Sequence, residues 1–228
     1  MAQNEARRQK QLAKKKAKRD EKRTQMARAN SDNPLIRLAA AATWPIAAAW
    51  GPDNLWDKGI GQLILACRMP DARLACGVFL VDVFCLGVKN AFWKFMTESE
   101  YDEVLRRNDH VQPLEKVAPE YLAKLVESAV QYAQALGIPP HPDYGHARLL
   151  LAGIDPSLCT DTFEFGQDGK PFYVRGPHES LAKVKVIAER IEMAGGHYSI
   201  PLKSSEAGRR MELAEDLGAN VFEMGAER

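Results

Sequence analysis

The chain has 228 residues, enough for one or two compact domains of about 100–200 residues each. Charged residues make up 27% and hydrophobic residues 46%, ordinary globular proportions that exclude collagenous, disulfide-scaffold and wholly disordered classes. The formal net charge of +1 conceals a division: residues 1–30 hold eleven Lys/Arg against Glu5, Asp20 and Glu21, a net of +8, and the remaining 198 residues carry −7. A basic arm is joined to an acidic body.

The arm is rich in helix formers, but only Leu12, Met26 and its alanines offer anything to bury. A helix without an apolar face gains little from propensity alone. The arm is therefore expected to be a frayed helix or a disordered segment that orders against a surface able to neutralise it. Ser31-Asp32-Asn33-Pro34 supplies turn chemistry. The domains accordingly read as a basic N-terminal arm over 1–33, a body over 34–203, and a C-terminal helix and tail over 204–228. Leu38 to Trp50 is uncharged and contains Ala47-Ala48-Ala49, which a signal peptidase accepts. The long charged stretch before it, its weakly apolar alanines and the interruption at Trp44-Pro45 favour a folded Ala-rich helix or strand instead.

Ile60 to Arg68 is a short apolar run, Met69-Pro70-Asp71-Ala72 is turn-like, and a second run extends from Leu74 to Val88. Both runs are rich in branched residues and read as an antiparallel pair. The second is nearly continuous in apolar residues, which places it centrally with both faces buried. A short helix over 91–95 and another over 98–107 are expected next. Pro119-Glu120 opens the clearest helix, with Leu122, Leu125, Val126, Ala129, Val130, Ala133 and Leu136 repeating at three and four and Gly137 in the C-terminal cap position. Ile138-Pro139-Pro140-His141-Pro142 is a stiff connection, after which Asp143 is expected to cap a helix reaching about Ala152. Residues 162–165 and 170–174, joined by Gly166-Gln167-Asp168-Gly169, read as a hairpin with Pro171 at an edge. Leu181, Val184, Ile187, Ala188 and Ile191 mark an amphipathic helix ended by Gly195-Gly196. A strand over 197–202 and a polar helix over 206–217 follow. The fold class is α+β: antiparallel strand pairs packed against amphipathic helices, preceded by a basic helical or disordered arm. No solenoid repeat is found.

No run of about 18 uncharged apolar residues exists, so no transmembrane segment is expected. Cys67, Cys76, Cys85 and Cys159 lack the short paired spacing of a zinc ribbon. Three of them sit in apolar runs as small hydrophobes, which suits the reduced thiols of a cytoplasmic protein.

The basic arm carries the strongest functional signal, because clustered Lys/Arg gain affinity for nucleic-acid phosphates through counterion release. Its candidate contacts are Arg7, Arg8, Lys10, Lys14, Lys15, Lys16, Lys18, Arg19, Lys22 and Arg23. It has no aromatic residue to stack on bases, so it supplies affinity without reading sequence. Asp82, inside an apolar run, needs a partner or a purpose. It is a candidate catalytic carboxylate for metal binding or general-base work, with Lys89 stabilising charge. The structural alternative is an internal ion pair with Lys89 or a turn cap. His141, Asp143 and His146 are candidate ligands of a divalent metal, although helix capping by Asp143 and loop roles for the histidines explain them as well. His178 and His197, at strand ends, read as surface or packing histidines. No phosphate-cradling glycine loop, G-x-S-x-G elbow or H-E-x-x-H helix is present.

Two stretches carry a resemblance: Phe79-Leu80-Val81-Asp82-Val83-Phe84-Cys85-Leu86-Gly87-Val88-Lys89, and Phe163-Glu164-Phe165-Gly166 with 168–177, DGKPFYVRGP. With Leu136-Gly137-Ile138 and Pro140-His141-Pro142-Asp143-Tyr144, they resemble a family of uncharacterised bacterial proteins over about residues 55–200. The resemblance implies a bacterial, intracellular, single-domain protein and carries no activity, cofactor or partner with it.

The sequence thus points to a cytoplasmic nucleic-acid-associated or ribosome-associated accessory protein, RNA- or DNA-binding, anchored by its basic arm and needing no cofactor. One alternative is a metal-dependent nuclease or phosphohydrolase using a divalent metal, Asp82 and the His141–Asp143 loop. The other is a structural interaction module of a larger complex with a protein partner.

Overall fold

The computed structural model describes residues 33–176 and 179–200. The arm contacts named above, His178, Leu202 and the expected helix over 206–217 lie outside the described residues. The chain divides into two units after Ala40. The described part of the first holds helix α1 (Pro34–Ala39), whose Asn33 cap accepts from the Leu35 N–H at 2.9 Å.

The second unit is framed by a five-stranded antiparallel sheet in the order β4-β3-β2-β1-β5. Its strands are β1 (Ile46–Pro52), β2 (Ile60–Arg68), β3 (Leu74–Asp82), β4 (Gly87–Met96) and β5 (Leu114–Lys116), with the one-turn helix α2 (Leu55–Lys58) between β1 and β2. The Ala-rich run is a strand from Ile46. β2 and β3 form the expected hairpin, in register from Ile60 opposite Asp82 to Arg68 opposite Leu74. β3 is buried along its whole length between β2 and β4, as its continuous apolar pattern requires.

Two expectations fail at the end of that run. The strand stops at Asp82, not Val88, because the chain turns there and re-enters as β4. Gly87 makes the re-entry possible: its φ is +63°, and a Cβ there would come within 2.5 Å of the Ala129 carbonyl oxygen. The short helix over 91–95 does not form, since these residues belong to β4 and pair with β3 as far as Met96 opposite Leu74. Trp93 and Phe95 project on one strand face and meet edge to face at 5.5 Å, with Trp44 against Phe95 at 6.1 Å. Aromatic residues fit a pleated surface, and tertiary pairing outweighs a weak helical pattern.

Helices cover both faces. On one, α3 (Glu98–Val111) starts at a reciprocal capping box, Thr97 Oγ1 accepting from Glu100 N–H and Glu100 Oε2 from Thr97 N–H. Its buried Tyr101 and Val104 pack against Ile64, Ala66, Leu74, Cys76, Val78 and Met96. Across the other lies α4 (Pro119–Ala135), the helix most legible in the sequence, with its apolar stripe buried. Beside it, α5 (Tyr144–Ala147) and a 3-10 turn (Arg148–Leu151) replace the single helix expected over 143–152.

A smaller β-α-β unit completes the body: β6 (Phe172–Val174), α6 (Leu181–Met193) and β7 (His197–Ser199), with β6 and β7 parallel. Tyr173, Val184, Ile187 and Ile191 close a second core with Cys85, Leu86, Ala133 and Ile138. The hairpin expected over 162–174 is absent. β6 pairs with β7 instead, and the two sides of the turn meet only at an isolated bridge between Gln167 and Lys170. Phe163 and Phe165 turn their rings to Trp56, Tyr121 and Tyr132 rather than to a neighbouring strand. Among the described residues no helix is long and apolar enough to cross a membrane.

Candidate functional site

Asp82 closes β3 and is 4% exposed. Its Oδ1 accepts the Phe84 and Cys85 N–H groups, each at 2.9 Å, and its Oδ2 receives the Cys85 thiol at 3.8 Å. Burial pushes the carboxyl above its ordinary pKa; the turn N–H groups and the Lys89 ammonium pull the other way without cancelling that push. In this setting the carboxylate caps the turn over 83–86.

Lys89 makes its close ion pair elsewhere. Its Nζ lies 3.9 Å from Glu179 Oε1, with the two side chains 8% and 5% exposed. Glu179 is the hub of this buried group: Oε2 accepts the Tyr173 hydroxyl at 2.5 Å and the Gly176 N–H at 2.9 Å, and Oε1 lies 3.6 Å from Lys183 Nζ. Burial raises the Glu179 pKa, but Lys89, the Tyr173 hydroxyl, the Gly176 N–H and Lys183 together outweigh it and hold the carboxyl below the usual glutamate value. The same surroundings push the Tyr173 hydroxyl far up. Burial also lifts the Cys85 thiol well above the ordinary range, so Cys85 is not an activated nucleophile.

Above the Lys89–Glu179 pair opens a cleft of about 570 Å³, walled by β4, the 138–142 connection and α6. Its walls are aliphatic, and among the described residues its ionisable lining groups are Lys89, His141, Lys183 and Arg190, with no carboxylate. The connection is pinned from two sides. The His141 N–H donates to the Val88 carbonyl at 3.0 Å, and the Arg190 guanidinium donates to the Gly137 carbonyl. The imidazole is held below its ordinary pKa, first by burial and then by Lys183, against the opposing effect of Asp143.

A second cleft, of about 730 Å³, has the opposite character. Asp57, Asp161, Glu164 and Asp168 line it with Trp56, Phe84, Tyr121 and Phe163, and among the described residues no Lys, Arg or His is present in its wall. Trp56 stacks on Phe163 at 5.8 Å and Tyr121 meets Phe163 edge to face at 5.3 Å, so the rings pack against one another.

Of the proposed metal ligands, His141 and Asp143 lie together. Asp143 sits at the N-cap position of α5 but makes no capping hydrogen bond with its side chain. Its Oδ2 is 3.7 Å from His141 Nδ1, and its own N–H donates to that nitrogen at 3.3 Å. His146 is exposed on α5. Among the described residues no group of three or more His, Cys, Asp or Glu side chains could hold a metal ion, so Asp82, His141 and Asp143 form no three-ligand site. All four cysteines are free and buried, and burial pushes Cys67 up to about 11 and Cys76 to about 12.

Sequence reasoning singled out Lys89 and His141 but missed Glu179, Tyr173, Lys183 and Arg190. Glu179 stands in the polar stretch GPHES, where nothing local announces burial. Comparison with protein-family models, with curated proteins and with solved structures finds no match.

Proposed function

We propose that the chain is a cytoplasmic nucleic-acid-associated or ribosome-associated accessory protein, anchored by the basic segment over residues 1–33. The observation that carries this reading is the segregation of charge, +8 on residues 1–30 against −7 on the rest. The body supports it indirectly. Arg68, Arg73, Lys94, Arg106, Arg107 and Lys185 each lie within 4.0 Å of a carboxylate, and Lys89 and Lys183 share Glu179. Surface cations paired with carboxylates release fewer counterions along a nucleic-acid backbone than the eleven Lys/Arg clustered over residues 1–30.

The test is the salt dependence of binding to a mixed-sequence RNA and to duplex DNA. Each phosphate neutralised contributes about −0.7 to −0.9 to the slope of log K against log salt. Reversing Lys14, Lys15, Lys16 and Lys18 to Glu should therefore flatten the slope by about 3. Binding with an unchanged slope would contradict the reading. A stronger response with RNA than with DNA selects the nucleic acid.

The hydrolase reading loses ground to the arrangement around Asp82. Its Oδ1 is occupied by two turn N–H groups, and among the described residues no group of three or more His, Cys, Asp or Glu side chains could hold a metal ion.

A further inference from the structure

We propose that the cleft floored by Lys89 is a binding site for a small organic anion, a carboxylate or phosphate head on an aliphatic body. Four observations converge on that chemistry. The volume of about 570 Å³ falls within the roughly 300–1,000 Å³ usual for small-molecule sites. The walls are built from Val88, Ile138, Pro139, Pro140, Val186 and Ile187, with no Phe, Tyr or Trp among the described residues of the lining, which suits an alkyl chain better than a large planar ligand. Among the described residues every ionisable side chain in the wall is basic, so a cation is repelled and an anion is met by complementary charge.

The fourth observation is the spacing of charge at the floor. Lys183 Nζ is 3.6 Å from Glu179 Oε1, beyond hydrogen-bonding distance, and its side chain is 60% exposed. Among the described residues Glu179 Oε1 accepts no hydrogen bond. The ion pair therefore neutralises charge without a hydrogen bond from Lys183, whose exposed ammonium keeps its protons for an anionic head group. The site is also preformed. Three prolines stiffen the 138–142 connection, the His141 N–H ties it to β4, and Arg190 ties α6 to Gly137. A rigid cleft needs little ordering on binding, which favours affinity.

The lining residues named here all lie after residue 85 in the sequence, and the test leaves residues 1–33 unchanged. The full chain is titrated calorimetrically with decanoate, decyl phosphate, decanol and decylammonium. Decanoate, decyl phosphate or both should bind with one molecule per chain, decanol about tenfold more weakly and decylammonium more weakly still. The tighter of the two anions identifies the head group. Val186→Glu places a carboxylate in the wall at a position 47% exposed, so the fold tolerates it, and it should cost about tenfold or more in anion affinity. Glu164→Gln, in the acidic cleft, should leave that affinity unchanged. Failure of both anions to bind overturns the proposal, as do equal binding of decylammonium and decanoate or full anion affinity in Val186→Glu.

Discussion

The two clefts of the body stand in opposite relations to their own charges. The acidic cleft wears Asp57, Asp161, Glu164 and Asp168 over an aromatic base whose rings are occupied with one another. The basic cleft has aliphatic walls and rests on a buried pair, Lys89 and Glu179, that the fold has withdrawn from water. Exposed carboxylates on a packed aromatic base contribute solubility and repulsion at little structural cost. A buried charge pair is sensitive, since either partner alone becomes a desolvated ion. Charge is thus incidental to stability in one cleft and integral to it in the other.

Mutations should separate the two. The largest effect is expected from Glu179→Ala, which strands Lys89 and removes the acceptor of the Tyr173 hydroxyl and the Gly176 N–H. A loss of about 3–5 kcal/mol is typical of a broken buried pair. Glu164→Ala, on the exposed rim of the acidic cleft, should lie within about 0.5 kcal/mol of the native chain. Urea unfolding of both variants makes the comparison, and equal midpoints would break it. Next in size is Phe163→Ala, which removes ring contacts to Trp56, Tyr121 and Phe165. The ring is only half-buried, so a cost of about 1–3 kcal/mol is expected, below that of a fully buried Phe. This would show that the rings, not the carboxylates, hold the acidic cleft together.

Acid titration sharpens the contrast further. Glu179 is held below its ordinary pKa in the folded chain, so its contribution is complete above the unfolded glutamate value and is lost as pH falls through the folded one. Asp82 is raised and acts in the opposite sense: its folded form binds the proton more tightly, and stability declines as pH rises from the unfolded aspartate value through the folded one. Glu179→Gln should therefore flatten the loss of stability on acidification, and Asp82→Asn should steepen it. Unfolding midpoints measured across the acid range check both signs. The smallest effect is expected from Lys183→Ala. Its exposed ammonium stands 3.6 Å from the carboxylate that Lys89 also faces, and a loosely held pair with one exposed partner is worth about 0.2–1 kcal/mol. A loss as large as that of Glu179→Ala would mean that Lys183, not Lys89, is the partner that matters.

The parts of this architecture that were legible in the sequence are those set by local pattern. The β2–β3 hairpin followed from two branched apolar runs around Met69-Pro70-Asp71-Ala72, and α4 followed from its three-and-four spacing closed by Gly137. The errors arose where tertiary partners decide. Residues 91–95 pair with β3, and Phe172 to Val174 run beside a strand that starts 23 residues after β6 ends, so neither outcome is written in its own segment. The site was legible only in fragments. Asp82 and Lys89 stood out as charges in or beside an apolar run, but Glu179 is buried by the approach of Tyr173, Lys89 and α6 across the fold, and no periodicity signals that.

The measurement that tests the central functional claim most directly is purification of the full chain, and of the chain with Lys14, Lys15, Lys16 and Lys18 changed to Glu, at low and at high salt, with any co-purifying nucleic acid sequenced. The account predicts nucleic acid on the native chain at low salt, released at high salt and much reduced on the variant. Equal amounts on both chains, or none on either at low salt, would contradict an arm that anchors the protein to phosphates.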